Sequence, residues 1–159
     1  MKTINKILTF GISCFLLSSC FLTEETKDFT AKNIHITLDN TFVMTNAEGF
    51  EVVFISSTKG NIYFYELEDV SLQSRFNVID EAYELTDVYE KQDYKTLQTK
   101  NNLSYYEFVT TESDIEYYNL LTNFNNNIFC EVIIPFAEEY KTLYTTTVFE
   151  WLSSVTIDN

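Results

Sequence analysis

The sequence predicts an α+β domain in which helices pack on a single, mostly antiparallel β-sheet. Three observations carry that prediction. Short β-rich runs at residues 34–38, 50–57, 62–67, 103–111, 115–124 and 128–134 are divided by polar turns. Two stretches, 78–92 and the one beginning at Phe136, change to a helical apolar period. Fourteen Phe and eleven Tyr against three Gly and one Pro give enough apolar mass for a core and exclude a low-complexity chain.

The N-terminus stands apart from that domain. Lys2 and Lys6 form a basic head, residues 7–17 are mostly apolar, and Leu17-Ser18-Ser19-Cys20 closes the run with small residues before a cysteine. This is the order of a secretory signal, and its apolar core is short for a membrane span. The Leu-Ser-Ser-Cys ending resembles the lipobox of bacterial lipoproteins. That resemblance implies removal of residues 1–19, acylation of Cys20, and a protein held in the cell envelope, facing outside the cytoplasm. Residues 20–32 are polar after Phe21-Leu22 and read as a lipidated tether. Residues 33–159 read as one domain.

Taken in order, Ile34-His35-Ile36-Thr37-Leu38 alternates and stops at Asp39-Asn40, a strand and a turn. Residues 50–57 and 62–67 form a hairpin through Ser57-Thr58-Lys59-Gly60-Asn61, with Gly60 supplying a positive φ. Val78, Ala82, Leu85 and Tyr89 recur at helical spacing, widened by Ile79 and Val88. Residues 95–99 and 103–111 make a second hairpin through Lys100-Asn101-Asn102, since Asn tolerates left-handed backbone. Strands at 115–124 and 128–134 follow across short polar turns and extend an antiparallel meander. Beyond Pro135, the set Phe136, Tyr140, Leu143, Tyr144, Val148, Trp151, Leu152 and Val155 marks one face of a helix of about five turns. Thr145-Thr146-Thr147 is a poor helix run inside it. A short strand at 155–158 closes the chain.

With those elements in place, the chain resembles the PsbP/DcrB-type α/β/α sandwich found in small bacterial lipoproteins. The likeness rests on Ile34 to Leu38 with Phe42, on residues 50–57 and 62–68 followed by a helix, and on residues 128–136, Tyr140 and Trp151-Leu152-Ser153-Ser154-Val155. It spans residues 33–158. It implies protein binding or assembly, and no catalytic motif is carried over with it.

Charge and cysteine usage narrow the function classes. The formal net charge is −14, and the chain from Cys20 onward holds 8 basic against 24 acidic residues, a charge of −16. Such an acidic domain is no nucleic-acid binder, and it would not lie flat on an anionic membrane. Cys14 leaves with the signal and Cys20 takes lipid, so Cys130 remains as an unpaired thiol inside a strand. His35 is the only histidine and points away from Ile34 and Ile36, toward solvent. No Gly-x-Ser-x-Gly, His-Glu-x-x-His, Cys-x-x-Cys or phosphate-binding glycine loop occurs. No catalytic residue, metal ligand or cofactor site is assigned.

The remaining oddity is paired tyrosines: Tyr63 and Tyr65, Tyr105-Tyr106, and Tyr117-Tyr118. Tyr63, Tyr65, Tyr105 and Tyr117 are the candidate contact surface, because an exposed tyrosine strip suits protein or glycan recognition. The expected protein is therefore non-enzymatic, joined to the membrane through lipid on Cys20 and bound to an envelope protein. The alternatives are a carrier of a small ligand or glycan, and a cell-envelope hydrolase working through carboxylates.

Overall fold

The computed structural model describes residues 25–88, 93–125 and 127–158. The signal segment, Cys20 and Tyr89 lie outside these residues. The element order is β1 (Thr26–Ala31), β2 (Ile34–Asp39), β3 (Val43–Thr45), β4 (Val52–Ser56), β5 (Gly60–Glu66), α1 (Leu72–Ala82), β6 (Leu85–Thr86), β7 (Gln98–Lys100), β8 (Leu103–Glu112), β9 (Ile115–Phe124), β10 (Ile128–Pro135), α2 (Val148–Ser153) and β11 (Thr156–Ile157).

All strand pairs are antiparallel, as the meander reading expects, and the α+β class holds. The strands divide between two sheets, however. The large one runs β3-β4-β5-β10-β9-β8-β6, with β7 also paired to β8, and the small one runs β1-β2-β11. The opening and closing strands thus leave the main sheet and meet each other, Thr156 opposite His35 and Ile157 opposite Ile34.

Turn chemistry explains the meander. Asn101 and Asn102 take φ of 53° and 64°, and Ser113 and Asp114 take 52° and 64°. Each pair closes a two-residue hairpin whose positive φ values match the strand twist. Gly60 sits at φ +100° where β4 turns into β5, and a Cβ there would fall 2.2 Å from the Ile133 carbonyl oxygen. Only glycine lets β5 begin so close to β10.

One face of the large sheet is covered by the small sheet and the C-terminal helical segment. Phe29, Ile34, Ile36 and Leu38 pack there with Phe54, Phe64, Leu120, Val132, Tyr144, Val148 and Trp151. The opposite face carries a smaller cluster in which Leu72, Phe76 and Ile79 of α1 cover Tyr65, Tyr106, Phe108, Leu121 and Phe129. Phe76 stacks on Tyr106 with centroids 4.1 Å apart. Among the described residues, no helix is long and apolar enough to cross a membrane.

Three sequence expectations are corrected. Residues 26–31, read as tether, form β1, an edge strand that buries only Phe29 and is held by its backbone pairing with β2. The helix expected at 78–92 lies at Leu72–Ala82 instead. Ser71 caps it by accepting a hydrogen bond from the Ser74 amide at 3.1 Å, and Val78, expected inside, is exposed. Leu85 belongs to β6 rather than to the helical stripe. The five-turn helix after Pro135 is a 3₁₀ turn at Glu138–Tyr140, a π-helical turn at Leu143–Thr147 and the short α2. Thr145 Oγ1 donates to the Lys141 carbonyl at 2.7 Å, the back-bonding that disturbs a regular helix.

Candidate functional site

The four tyrosines of the expected contact surface do not form one surface. Tyr105 is 5% exposed, on the face beneath the C-terminal helix, where its ring meets Phe149 edge-on at 5.1 Å. Burial, with the charge of Glu107 behind it, pushes its hydroxyl pKa up to about 12. Tyr65 is 6% exposed on the other face, stacked on Phe129. Its hydroxyl donates to Glu131 Oε1 and accepts from Arg75 Nε at 2.9 Å, while Arg75 Nη2 donates to Glu131 Oε1 at 3.0 Å. Burial, then the Glu131 charge, raises the Tyr65 pKa far above the usual phenol range. This triad fastens α1 to β5 and β10. Tyr63 and Tyr117 are half-exposed on the α1 face, but two strands and several residues apart.

Register shows what accompanies Tyr63. One row across the sheet reads Thr45, Val53, Tyr63, Glu131, Leu121 and Tyr106; its neighbour reads Val43, Ile55, Asn61, Ile133, Asn119 and Phe108. Residues directly opposite share a face, and α1 covers only the β8–β9–β10 half of these rows. On the half that α1 leaves uncovered Val43 and Ile55 are exposed and Tyr63 and Ile133 half-exposed, while Val53 between them is 2% exposed beneath its neighbours. Phe50 leans over Tyr63 at 5.2 Å and over Tyr65 at 6.0 Å, itself 37% exposed. The result is a strip of Phe50, Tyr63, Ile133 and Ile55 beside α1. Sequence reasoning picked out Tyr63 but not its companions, because strand pairing alone aligns them.

His35 lies where alternation places it, with Ile34 and Ile36 buried on either side. Its ring has a partner on either side: Nδ1 is 3.0 Å from Thr30 Oγ1 on β1 and Nε2 is 2.8 Å from Oδ2 of Asp158, just past β11. The order hydroxyl–imidazole–carboxylate mimics a nucleophilic triad. The Asp158 side chain is 70% exposed, though, so it meets the ring in a water-like dielectric on an open sheet surface. The trio ties β1 and β2 to the residue just past β11.

Sequence reading also passes over one motif, the Ser-x-x-Lys of Ser56-Ser57-Thr58-Lys59. Lys59 Nζ pairs with the buried Asp39 carboxylate at 3.2 Å, and Asp39 Oδ1 accepts from the Thr41 amide at 3.2 Å and from its hydroxyl. Ser56 Oγ lies 2.8 Å from Thr41 Oγ1. The ion pair with Asp39 engages Lys59 Nζ, and Ser56 is buried with its hydroxyl against Thr41. The cluster locks the 39–42 bend to the 57–59 turn. Cys130 is buried, its thiol pKa raised well above normal by desolvation and then by Glu131. Among the described residues, no three His, Cys, Asp or Glu side chains converge to hold a metal.

No family model matches the sequence, and no curated protein matches it. Its likenesses lie among solved structures. The solution structure of cyanobacterial PsbP (CyanoP) from Synechocystis sp. PCC 6803 aligns with a TM-score of 0.54 at 14% identity, over 89% of this chain and 99% of that one. A crystal structure from Bacteroides thetaiotaomicron VPI-5482 aligns with a TM-score of 0.48 at 10% identity, over 85% of this chain and 48% of that one. At such identity the CyanoP likeness speaks for the fold alone. The chain carries a PsbP-like α+β domain.

Proposed function

We propose that this protein is a lipid-anchored, extracytoplasmic binding module that docks another envelope protein through the uncovered half of its large sheet. The observation that carries the reading is the strip of Phe50, Tyr63, Ile133 and Ile55, an aromatic and aliphatic surface on an otherwise acidic domain. Aromatic side chains at the centre of a patch with polar surroundings are what protein interfaces favour. A carrier reading draws no support from the spaces beneath the helices. Phe76, Tyr106 and Phe129 fill one and Tyr118, stacked on Tyr144 at 5.1 Å, fills the other.

The test is in-cell crosslinking from a photoreactive residue at position 63, in full-length protein with Cys20 intact. One dominant envelope protein, lost on Phe50→Glu but retained on Tyr117→Glu, is the expected result. Crosslinks unchanged by Phe50→Glu would overturn the assignment of this strip.

A further inference from the structure

Pairing of residues 26–31 as β1 leaves little chain between Cys20 and the domain. With β1 paired from Thr26, and the Glu25 carbonyl accepting from the Asn40 amide at 2.9 Å, only five residues separate Cys20 from the folded domain. At no more than about 3.6 Å per residue, those five reach about 18 Å at full stretch. A lipid on Cys20 therefore fixes which corner of the domain lies at the bilayer.

That corner is built from three neighbouring pieces. The bend at 40–42 sits against Glu25, the 57–59 turn is joined to it through Asp39–Lys59 and Thr41–Ser56, and the first ladder pair beyond them is Val43 opposite Ile55. Val43 is 65% exposed and Ile55 45%, both on the α1 face, and Met44, opposite Phe54 and so on the other side of the same edge strand, is 44% exposed. Its one buried carboxylate, Asp39, faces Lys59, and the surrounding side chains are Asn40, Thr41, Ser57 and Thr58. Among the described residues of this corner Glu25 is the one exposed carboxylate, and Glu24 precedes it in the sequence. The far side of the same end, across β10, β9 and β8, carries Glu112, Asp114, Glu116, Glu138 and Glu139. In a chain that carries −16 from Cys20 onward, the apolar corner coincides with the anchored one.

We propose that Val43, Met44 and Ile55 rest on the lipid bilayer itself, seating the domain by this corner, where the strip ends at Ile55, and holding its acidic side and the Phe50–Tyr63 end of the strip away from the headgroups. Two short tether constraints act together: the lipid limits distance, and like-charge repulsion from anionic lipid disfavours every other orientation. The corner is rigid because the Asp39–Lys59 cluster braces both of its turns. The inference rests on the reading of Cys20 as acylated, and it adds an orientation which that reading lacks.

The experiment places an environment-sensitive fluorophore on Ile55→Cys or, as control, on the exposed Ile115→Cys, in full-length protein extracted from membranes. Acylated Cys20 and buried Cys130 leave the new thiol as the labelling site. The protein is reconstituted in phosphatidylethanolamine–phosphatidylglycerol vesicles carrying spin-labelled lipid, and intact mass reports the acyl chains. Seating of the corner at the headgroup boundary quenches the label at 55 at least about twofold more than that at 115. Equal quenching at both sites in protein shown to be acylated and vesicle-bound overturns the docking and leaves the anchor standing. Absence of acyl mass overturns both. A label at 55 that is shielded from spin-labelled lipid while two copies crosslink assigns the corner to self-association and also overturns the proposal.

Discussion

Replacing Gly60 by Ala tests the packing of the β5–β10 seam, and Gly49→Ala supplies its control. Both glycines have positive φ, +100° and +84°. Holding a Cβ in that region costs about 1–2 kcal/mol at either site. The surroundings differ: nothing lies within 4 Å of a Cβ on Gly49, whereas on Gly60 it meets the Ile133 oxygen at 2.2 Å and the Ile134 Cα at 3.1 Å. Both neighbours are backbone of β10, so relief requires prising β5 from β10 near Ile62, Val132 and Ile134, all buried. Overpacking of this kind adds about 1–3 kcal/mol. Gly60→Ala should therefore cost about 2–5 kcal/mol in all, and Gly49→Ala about 1–2 kcal/mol. Urea unfolding of residues 21–159 followed by Trp151 fluorescence measures both, with an unchanged m-value showing that the transition is still two-state. Equal losses for the two variants would refute the close approach at the hairpin.

Three further outcomes follow from the described contacts. Tyr65 and Tyr105 are held above the ordinary value of 10.0, so above that pH the unfolded chain gives up protons that the fold retains. Stability is thus fully present below pH 10 and falls as pH rises toward 12; in urea titrations between about pH 9 and about pH 11, Tyr105→Phe should flatten that fall. Arg75→Leu removes two hydrogen bonds from the Tyr65–Glu131 pair at the foot of α1, and should lower stability by about 1–2 kcal/mol. The Cys130 thiol should resist a water-soluble disulfide reagent in the native protein and react at once in urea, since burial withholds both access and the thiolate.

Legibility in the sequence followed the strength of local signals. The hairpins at Asn101-Asn102 and Ser113-Asp114 were marked by turn residues, and the strands they join, Leu103–Glu112 and Ile115–Phe124, fall within a residue of the expected bounds. β1 escaped notice because an edge strand that buries only Phe29 has no apolar alternation to read. α1 was displaced because its buried set, Leu72, Phe76 and Ile79, is short, while Leu85 and Val88 prolonged the apolar pattern past the helix end without a Gly or Pro to stop it. The C-terminal segment kept its apolar spacing but not its regularity, since the threonine run admits a π turn. For the site, alternation placed His35 correctly. The same rule could not separate Tyr63 from Tyr65, two residues apart on one strand face, because coverage by α1 and Phe50 decides which ring is buried.

Anchoring through Cys20 is the claim on which both the binding and the orientation proposals depend, and its chemistry can be read directly. Metabolic palmitate labelling of the full-length protein, with intact mass of the membrane-extracted chain, should show a mature N-terminus at Cys20 carrying acyl chains, and Cys20→Ala should abolish the label. A chain that keeps Met1, or one that retains palmitate after Cys20→Ala, would contradict the account.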